Sequence, residues 1–301
     1  MTAGGITVEL SRTGKVLFPG DGITKGDLIE YYRTIARWML PHLRDRPLAL
    51  ARYPDGIDGQ RIFQKNISPH FPGWITRTEV SKQGGEVCQV IADKPATLVY
   101  LANQACIELH AFGSRAARPA CPDQLVVDLD PPGNDFGAAR EAAAAVRDLL
   151  ETELGLTTFV KTTGGKGLHV HLPLDARSGS GEVLAVSHRL AGLLAARHPG
   201  LLTTQQRRGQ RGGQVYADVM RNAYAQTVVA PYCVRARPGA PVAMPLHWDE
   251  VAKPGLDPGA FTLRTVPGRL ERGGRDGPWA GMFRRRYGLA TVRRRLARLE
   301  G

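Results

Sequence analysis

The sequence predicts an α+β fold built on a split βαβ, ferredoxin-like core, and three observations carry that expectation. Between residues 124 and 220, apolar strand runs and helical runs follow in the order strand, helix, strand, strand, helix, strand, which is the order of that core. Ahead of it, the first 120 or so residues mix one well-capped helix with short strands. No repeat, low-complexity block or long Pro/Gly/Ser linker divides the chain, so the 301 residues read as one composite domain. Its parts are an N-terminal mixed α/β unit over 1–120, on which the core is expected to pack, the motif-bearing core over 121–250 and a basic extension over 251–301.

Thr24-Lys25-Gly26-Asp27 has the form of a capping box, and Leu28, Ile29, Tyr32, Ile35, Ala36 and Met39 then recur at helical spacing as far as Pro41. Residues 48–53 form a short strand entering the turn Pro54-Asp55-Gly56. Residues 85–91 and 97–101 read as further strands, and 104–109 as either strand or helix. In the core, a strand over 124–130 precedes an Ala-rich helix over 136–154, a strand over 157–161, a glycine-rich turn and a strand over 168–172. A second helix covers 182–197, and strands follow at 214–220 and 227–230.

Forty Lys and Arg against 28 Asp and Glu give a formal charge of +12 and an isoelectric point near 9.9, a balance that favours a polyanionic partner such as nucleic acid. The blander reading is solvated arginine faces, which suits Arg284-Arg285-Arg286 and Arg293-Arg294-Arg295 better than Arg207-Arg208-Gly209-Gln210-Arg211. Four widely spaced cysteines form no CxxC and argue against a disulfide scaffold, and Cys106, His110 and Cys121 fit no common zinc spacing. The first residues lack a signal-peptide pattern and no 18-residue apolar run follows, so a cytoplasmic, nucleoid-associated protein without a membrane partner is expected.

The chemistry centres on Val126-Val127-Asp128-Leu129-Asp130-Pro131-Pro132. Side chains at i and i+2 of a strand leave the same face, so Asp128 and Asp130 point one way. An acid pair at a strand end also serves as a turn cap or salt-bridge partner. Asp218, in the apolar strand Val215-Tyr216-Ala217-Asp218, changes the weighing, because in a split βαβ core that strand can lie beside 124–130. Three carboxylates on adjoining strands can hold two hard cations about 3.5–4 Å apart, the geometry of nucleotidyl transfer. Between the acids, Lys161-Thr162-Thr163-Gly164-Gly165-Lys166-Gly167-Leu168-His169-Val170-His171 offers phosphate-binding amides, the Thr163 hydroxyl and the Lys166 charge. It is not a Walker A loop, and a plain hairpin remains the competing reading. His169 and His171 share a strand face and are either structural or, beside an acidic metal site, triphosphate donors. Arg235 is either a phosphate clamp or a surface arginine.

An acid pair, a Ser-x-His-like loop and a third acid, in this order, resemble the archaeo-eukaryotic primase superfamily. Val16-Leu17-Phe18-Pro19, Gly22-Ile23-Thr24-Lys25, Arg52-Tyr53-Pro54-Asp55-Gly56, Phe63-Gln64-Lys65-Asn66, Glu108-Leu109-His110, Gly165-Lys166-Gly167-Leu168-His169-Val170 and Val229-Ala230-Pro231-Tyr232 add a closer resemblance to the polymerase domain of bacterial DNA ligase D, from about residue 10 to 250. The resemblance implies a primase-like fold and Asp128, Asp130 and Asp218 as catalytic ligands of two divalent ions, Mn²⁺ or Mg²⁺. It places His110, Thr163, Lys166, His169 and Arg235 around an NTP or dNTP, with ribonucleotides favoured. It gives Lys15 and Lys25 a 5′-phosphate at a gap, overhang or break, and Arg52 with Phe63 a template contact, where an aromatic face stacks on a base for about 1–3 kcal/mol.

Three departures stand out. Thr163 replaces the usual Ser and keeps the hydroxyl, Ala51 removes a lysine, and Ile62 replaces a second Phe. No ligase or nuclease segment is present, which resembles the stand-alone forms and implies a separate DNA ligase and a Ku-type end-binding protein as partners. The expected activity is primer extension in gap filling or non-homologous end joining. De novo priming, a catalytically silent end-binding scaffold and a phosphodiesterase are the alternatives.

Overall fold

A computed structural model describes residues 1–82, 84–274 and 277–299. The expected basic extension over 251–301 is therefore described except at residues 275, 276, 300 and 301. The chain forms two compact units. One comprises Met1–Phe112, Thr227–Met244 and Asp257–Gly277, and the other Gly113–Gln226, Pro245–Leu256 and Pro278–Gly301.

The first unit is built on a six-stranded antiparallel sheet, five strands of which run in the order Thr227–Val229, Cys106–Phe112, Pro47–Arg52, Gly85–Ile91, Arg77–Lys82, with the sixth, Ile62–Gln64, also pairing with Pro47–Arg52. Its long helix, Lys25–Leu43, starts at the predicted capping box: Thr24 Oγ1 accepts from the Asp27 amide at 3.1 Å, and the Asp27 carboxylate accepts from the Thr24 amide at 2.8 Å. The helix runs two residues past Pro41. A proline there removes one amide near the helix end, where few bonds remain to lose. The Tyr31 and Tyr32 hydroxyls donate to the carbonyls of Tyr232 and Ile107, fastening the helix to the sheet side of its own unit.

The strand expected over 97–101 is instead a helix, Pro95–Asn103. A short run of Thr97 and four apolar residues between turn signals does not distinguish a strand from a helix buried all round. Pro95 in the first helical turn, with its fixed φ, settles the local choice, and Ala96, Leu98, Val99, Leu101 and Ala102 are all buried. The ambiguous stretch over 104–109 is a strand, Cys106–Phe112.

The second unit contains the predicted split βαβ core. Its six-stranded sheet runs Leu202–Thr203, Val215–Asp218, Gln124–Asp130, Leu168–Pro173, Phe159–Thr162, Pro245–Leu246. The four central strands are antiparallel neighbours, and taken in chain order they lie as fourth, first, third, second, the ferredoxin-like arrangement. The helix expected over 136–154 is α-helical over Phe136–Arg147 and continues as wider π turns over Asp148–Glu153. The helix expected over 182–197 spans Ser180–Arg197. The strand expected to close this region at 227–230 belongs to the first unit, where Val229 pairs with His110. The C-terminal helix Leu289–Ala297 buries Leu289, Val292 and Leu296 and leaves Arg293 and Arg294 exposed, as the solvated-face reading expects. All four cysteines are free. Among the described residues, no helix is long and apolar enough to cross a membrane.

Candidate active site

The strand Gln124–Asp130 lies between Leu168–Pro173 and Val215–Asp218, and its register sets Asp128 opposite His169 on one side and opposite Asp218 on the other. One strand farther, Lys161 stands opposite His169. Directly paired residues of neighbouring strands share a face, so Lys161, His169, Asp128 and Asp218 form one row across four strands. Asp130, two residues on, is on the same face, opposite Tyr216.

Cations and N–H donors meet every carboxylate of this row. His169 Nε2 lies 3.3 Å from Asp128 Oδ1, and Arg221 Nε lies 3.6 Å from an oxygen of Asp128 and 3.6 Å from an oxygen of Asp218. Asp218 also accepts from the Met220 amide at 2.8 Å. Asp130 is held by Arg211 Nη1 at 2.7 Å and Lys166 Nζ at 3.2 Å, and Arg211 stacks 4.4 Å above the Tyr216 ring. Burial raises the Asp128 carboxyl, but His169, Arg221 and Lys161 outweigh it and bring it down to about 2. Burial, with the charge of Asp128, pushes Asp218 up. Burial and Lys161 bring His169 down to about 4, so its imidazole is neutral at neutral pH. A carboxylate only accepts, so Nε2 of that imidazole carries the hydrogen. Its buried Nδ1 has no hydrogen-bond partner among the described residues.

The glycine-rich segment is a hairpin and also serves this row. Thr162 pairs with Leu168, the Thr163 amide donates to the Gly167 carbonyl at 3.0 Å, and the Gly167 amide lies 3.3 Å from Thr163 Oγ1. Gly164 takes φ 65°, a conformation that glycine adopts without strain. Lys166 Nζ donates to the Pro131 carbonyl at 2.8 Å, tying the loop to the double proline that ends the acid strand. Gly167 is needed for close approach: a Cβ there would sit 2.3 Å from the carbonyl oxygen of Leu129, the residue between the two acids. We expect Gly167→Ala to destabilise the protein by about 1–3 kcal/mol and to lower its melting temperature. A thermal melt unchanged from the wild type would reject this close contact.

Among the described residues, no three His, Cys, Asp or Glu side chains converge on one cation position. The donor set nevertheless fits a hard divalent ion: Asp128, Asp130 and Asp218 supply only carboxylate oxygens on one face. The Arg221 guanidinium already sits between two of them as a positive stand-in.

The first unit carries the other expected residues. Glu108, buried at 4% exposure, accepts from Arg235 Nε at 2.9 Å and the Ala236 amide at 3.1 Å, and faces His110 Nε2 at 3.0 Å. Although burial favours its neutral form, His110 and Arg235 hold its carboxyl far below the ordinary range. His110, pushed down by burial against the pull of Glu108, meets the Phe63 ring edge to face at 5.7 Å. Phe63 is 44% exposed, as a stacking face requires. Arg52 is more occupied than a template contact suggests: it donates to the Gln104 carbonyl at 3.0 Å and to Gln64 at 3.3 Å. The Lys25 amide donates to the Lys15 carbonyl at 2.8 Å, so the two lysines are neighbours. Lys15 pairs with Asp55 at 2.8 Å, and the buried Lys25 amine is pushed down by burial and then by the charges of Arg12 and Lys15.

Glu108, Lys161, Arg211 and Arg221 are absent from the sequence-based set of site residues. Strand parity holds a signal for two of them: Glu108 is two residues from His110, and Lys161 is placed by the hairpin register opposite His169. Arg211 lies in the flagged basic run, but nothing local ties it to Asp130. Arg221 follows Asp218 by three residues and carries no periodic signal.

Residues 24–279 match the model of a family described as LigD, primase-polymerase domain. The chain is 36% identical over 258 residues to the multifunctional non-homologous end joining DNA repair protein LigD of Mycobacterium tuberculosis (strain H37Rv), covering 83% of this chain and 34% of that protein. It is 31% identical over 271 residues to the bifunctional non-homologous end joining protein LigD of Bacillus subtilis (strain 168), covering 89% of this chain and 43% of that protein. The chain thus spans about a third of the length of the mycobacterial relative. Among solved structures, the polymerase domain from Mycobacterium tuberculosis ligase D in complex with DNA matches with a TM-score of 0.87 at 33% identity, covering 93% of this chain and 99% of that one.

Proposed function

The chain belongs to the LigD primase-polymerase domain family, and from that premise we propose that it is a template-directed nucleotidyltransferase. It extends a primer 3′-hydroxyl with NTP or dNTP to fill short gaps or mend broken DNA ends, as in non-homologous end joining. The observation that carries the reading is the register that sets Asp128 opposite Asp218, with Asp130 two residues along the same face. Three carboxylates so placed suit phosphoryl transfer, in which positive charge is needed beside the attacking and leaving oxygens.

Asp128, Asp130 and Asp218 would hold two divalent ions, Mn²⁺ or Mg²⁺. Such ions lower the pKa of the attacking hydroxyl and neutralise charge on the leaving pyrophosphate. The protein's own groups bind and orient. Lys166, with Thr163 and the hairpin amides, grips the triphosphate. His169, whose Nε2 hydrogen faces Asp128, would offer that hydrogen to a phosphate oxygen of the nucleotide. His110 and Arg235 are assigned to the nucleotide, Phe63 with Arg52 to the template, and Lys15 with Lys25 to a 5′-phosphate. A DNA ligase activity and a Ku-type end-binding protein complete the proposed pathway.

Primer extension on a gapped duplex, with sugar and metal varied, tests the reading. Incorporation opposite template in Mn²⁺ or Mg²⁺ supports it. Products from an unprimed template assign de novo priming, strand shortening assigns a phosphodiesterase, and DNA binding without incorporation assigns a silent scaffold. For the phosphate grip, Lys15→Ala and Lys25→Ala should each weaken binding to a 5′-phosphorylated gap about tenfold, against about twofold for a 5′-hydroxyl gap. Equal losses on the two substrates reject that role.

A further inference from the structure

Seven arginines and no Asp or Glu lie between residues 278 and 299, all seven of them past residue 279, where the family match ends. Three of these arginines, Arg284-Arg285-Arg286, are carried on a fixed backbone. The Tyr287 amide donates to the Pro173 carbonyl at 3.2 Å, and the Asp175 amide donates back to the Tyr287 carbonyl at 3.1 Å. In this way the segment is bonded to the end of the strand Leu168–Pro173 and the residues that follow it, within the second unit.

Where the segment meets the loop over 115–123 it closes a cleft of about 180 Å³, whose lining includes Arg115, Arg118, Asp123, Asp175, Arg285 and Arg286. Its two acids are each matched from the same unit. Arg115 Nε bonds Asp123 at 2.9 Å while its guanidinium covers the Phe283 ring at 4.9 Å, and Arg177 Nε lies 4.0 Å from Asp175. Arg118, Arg285 and Arg286 are exposed, and no carboxylate of the described residues pairs with them. The cleft is thus net positive, and its charge comes from arginine alone. The planar guanidinium fork suits bidentate binding of phosphate oxygens.

Position decides what kind of phosphate. The cleft includes Asp123, at the start of the strand whose far end carries Asp128 and Asp130. At about 3.3 Å per residue those acids lie ~17–23 Å away. A nucleotide in the acid site does not span that distance. A duplex that advances about 3.4 Å per base pair covers it in about 5 to 7 base pairs.

We propose that this arginine cleft is a second contact for the phosphodiester backbone of duplex DNA, set back from the acid site by one strand length. The inference rests on the proposed polymerase reading for its substrate, but it is read out by binding and not by extension. Fluorescence anisotropy on gapped duplexes with flanks of about 4 and about 14 base pairs tests it, comparing wild type with Arg285→Ala/Arg286→Ala and, separately, Arg118→Ala. The double variant should bind the long-flank duplex about tenfold more weakly and the short-flank duplex equally well. The slope of log affinity against log salt should fall by about 1 to 2. Arg118→Ala, on an exposed loop, should show the same selective loss at about threefold. Unchanged affinity for the long-flank duplex in both variants overturns the proposal, as does an equal loss on both duplexes. Direct saturable binding of inorganic phosphate or free triphosphate to wild type but not to the variants, with DNA affinity unchanged by the substitutions, also overturns it in favour of a small-anion site. A wild-type protein that binds DNA but extends no primer would sink the polymerase reading while leaving this flank-length test intact.

Discussion

Asp128→Ala is expected to abolish primer extension, with a loss of at least about 10³-fold in rate, while DNA affinity stays within about twofold of wild type. Asp128 stands in the middle of the row, opposed by Asp218 and His169 and shared by Arg221. Its removal leaves Asp218 alone with Arg221 and takes away the acceptor that His169 Nε2 faces. Because His169, Arg221 and Lys161 stabilise the Asp128 charge, the variant should melt below wild type, so activity and binding are read well below its melting temperature. Asp128→Asn retains an acceptor for His169 but not the charge that His169, Arg221 and Lys161 hold, so it should melt below wild type and be equally inactive. Extension rates and a binding isotherm on the same gapped duplex check this result. Residual incorporation by Asp128→Ala above about one tenth of wild type would remove the acid from the chemistry.

Glu108 is the second residue whose loss should be large, through packing and charge in the first unit. Its two carboxylate oxygens face three N–H groups, from Arg235, Ala236 and His110. Glu108→Ala takes the carboxylate away from a half-buried guanidinium and a half-buried imidazole hydrogen, and should cost about 3–5 kcal/mol of stability. Glu108→Gln keeps one oxygen for Arg235 and Ala236 but turns an amide donor toward His110, which must move its hydrogen from Nε2 to Nδ1. That variant should be intermediate in stability and should raise the KM for nucleotide more than it lowers kcat.

The sign of the pH dependence follows from the lowered carboxyl. A folded-state pKa below the ordinary 4.5 means that the stabilisation is fully present above that value and is lost as acidity increases below it. The stability gap between wild type and Glu108→Gln should therefore be widest near neutrality and narrow below about pH 4.5. Chemical denaturation of both proteins at neutral and acidic pH measures it, and a gap that widens in acid would contradict the assigned charge state.

What was legible in the sequence was whatever a local period encodes. The i, i+2 spacing put Asp128 and Asp130 on one face, the capping box fixed the start of the helix at Thr24, and the strand and helix order gave the split βαβ core before any strand was paired. The same locality explains the error at 97–101, where Thr97 and four apolar residues satisfy either period and a buried helix resulted.

Tertiary structure alone decided the charge partners. Arg211 reaches Asp130 across 81 residues of chain and Glu108 accepts from Arg235 across 127. Neither distance leaves a trace in a window of a dozen residues. It also decided that Thr227–Val229 joins the strand of His110 while Pro245–Leu246 joins the strand of Lys161. Strand partners are chosen by the summed packing of whole sheets and by the burial of charge at their seams, and both are properties of chain segments brought together, not of residues in a row.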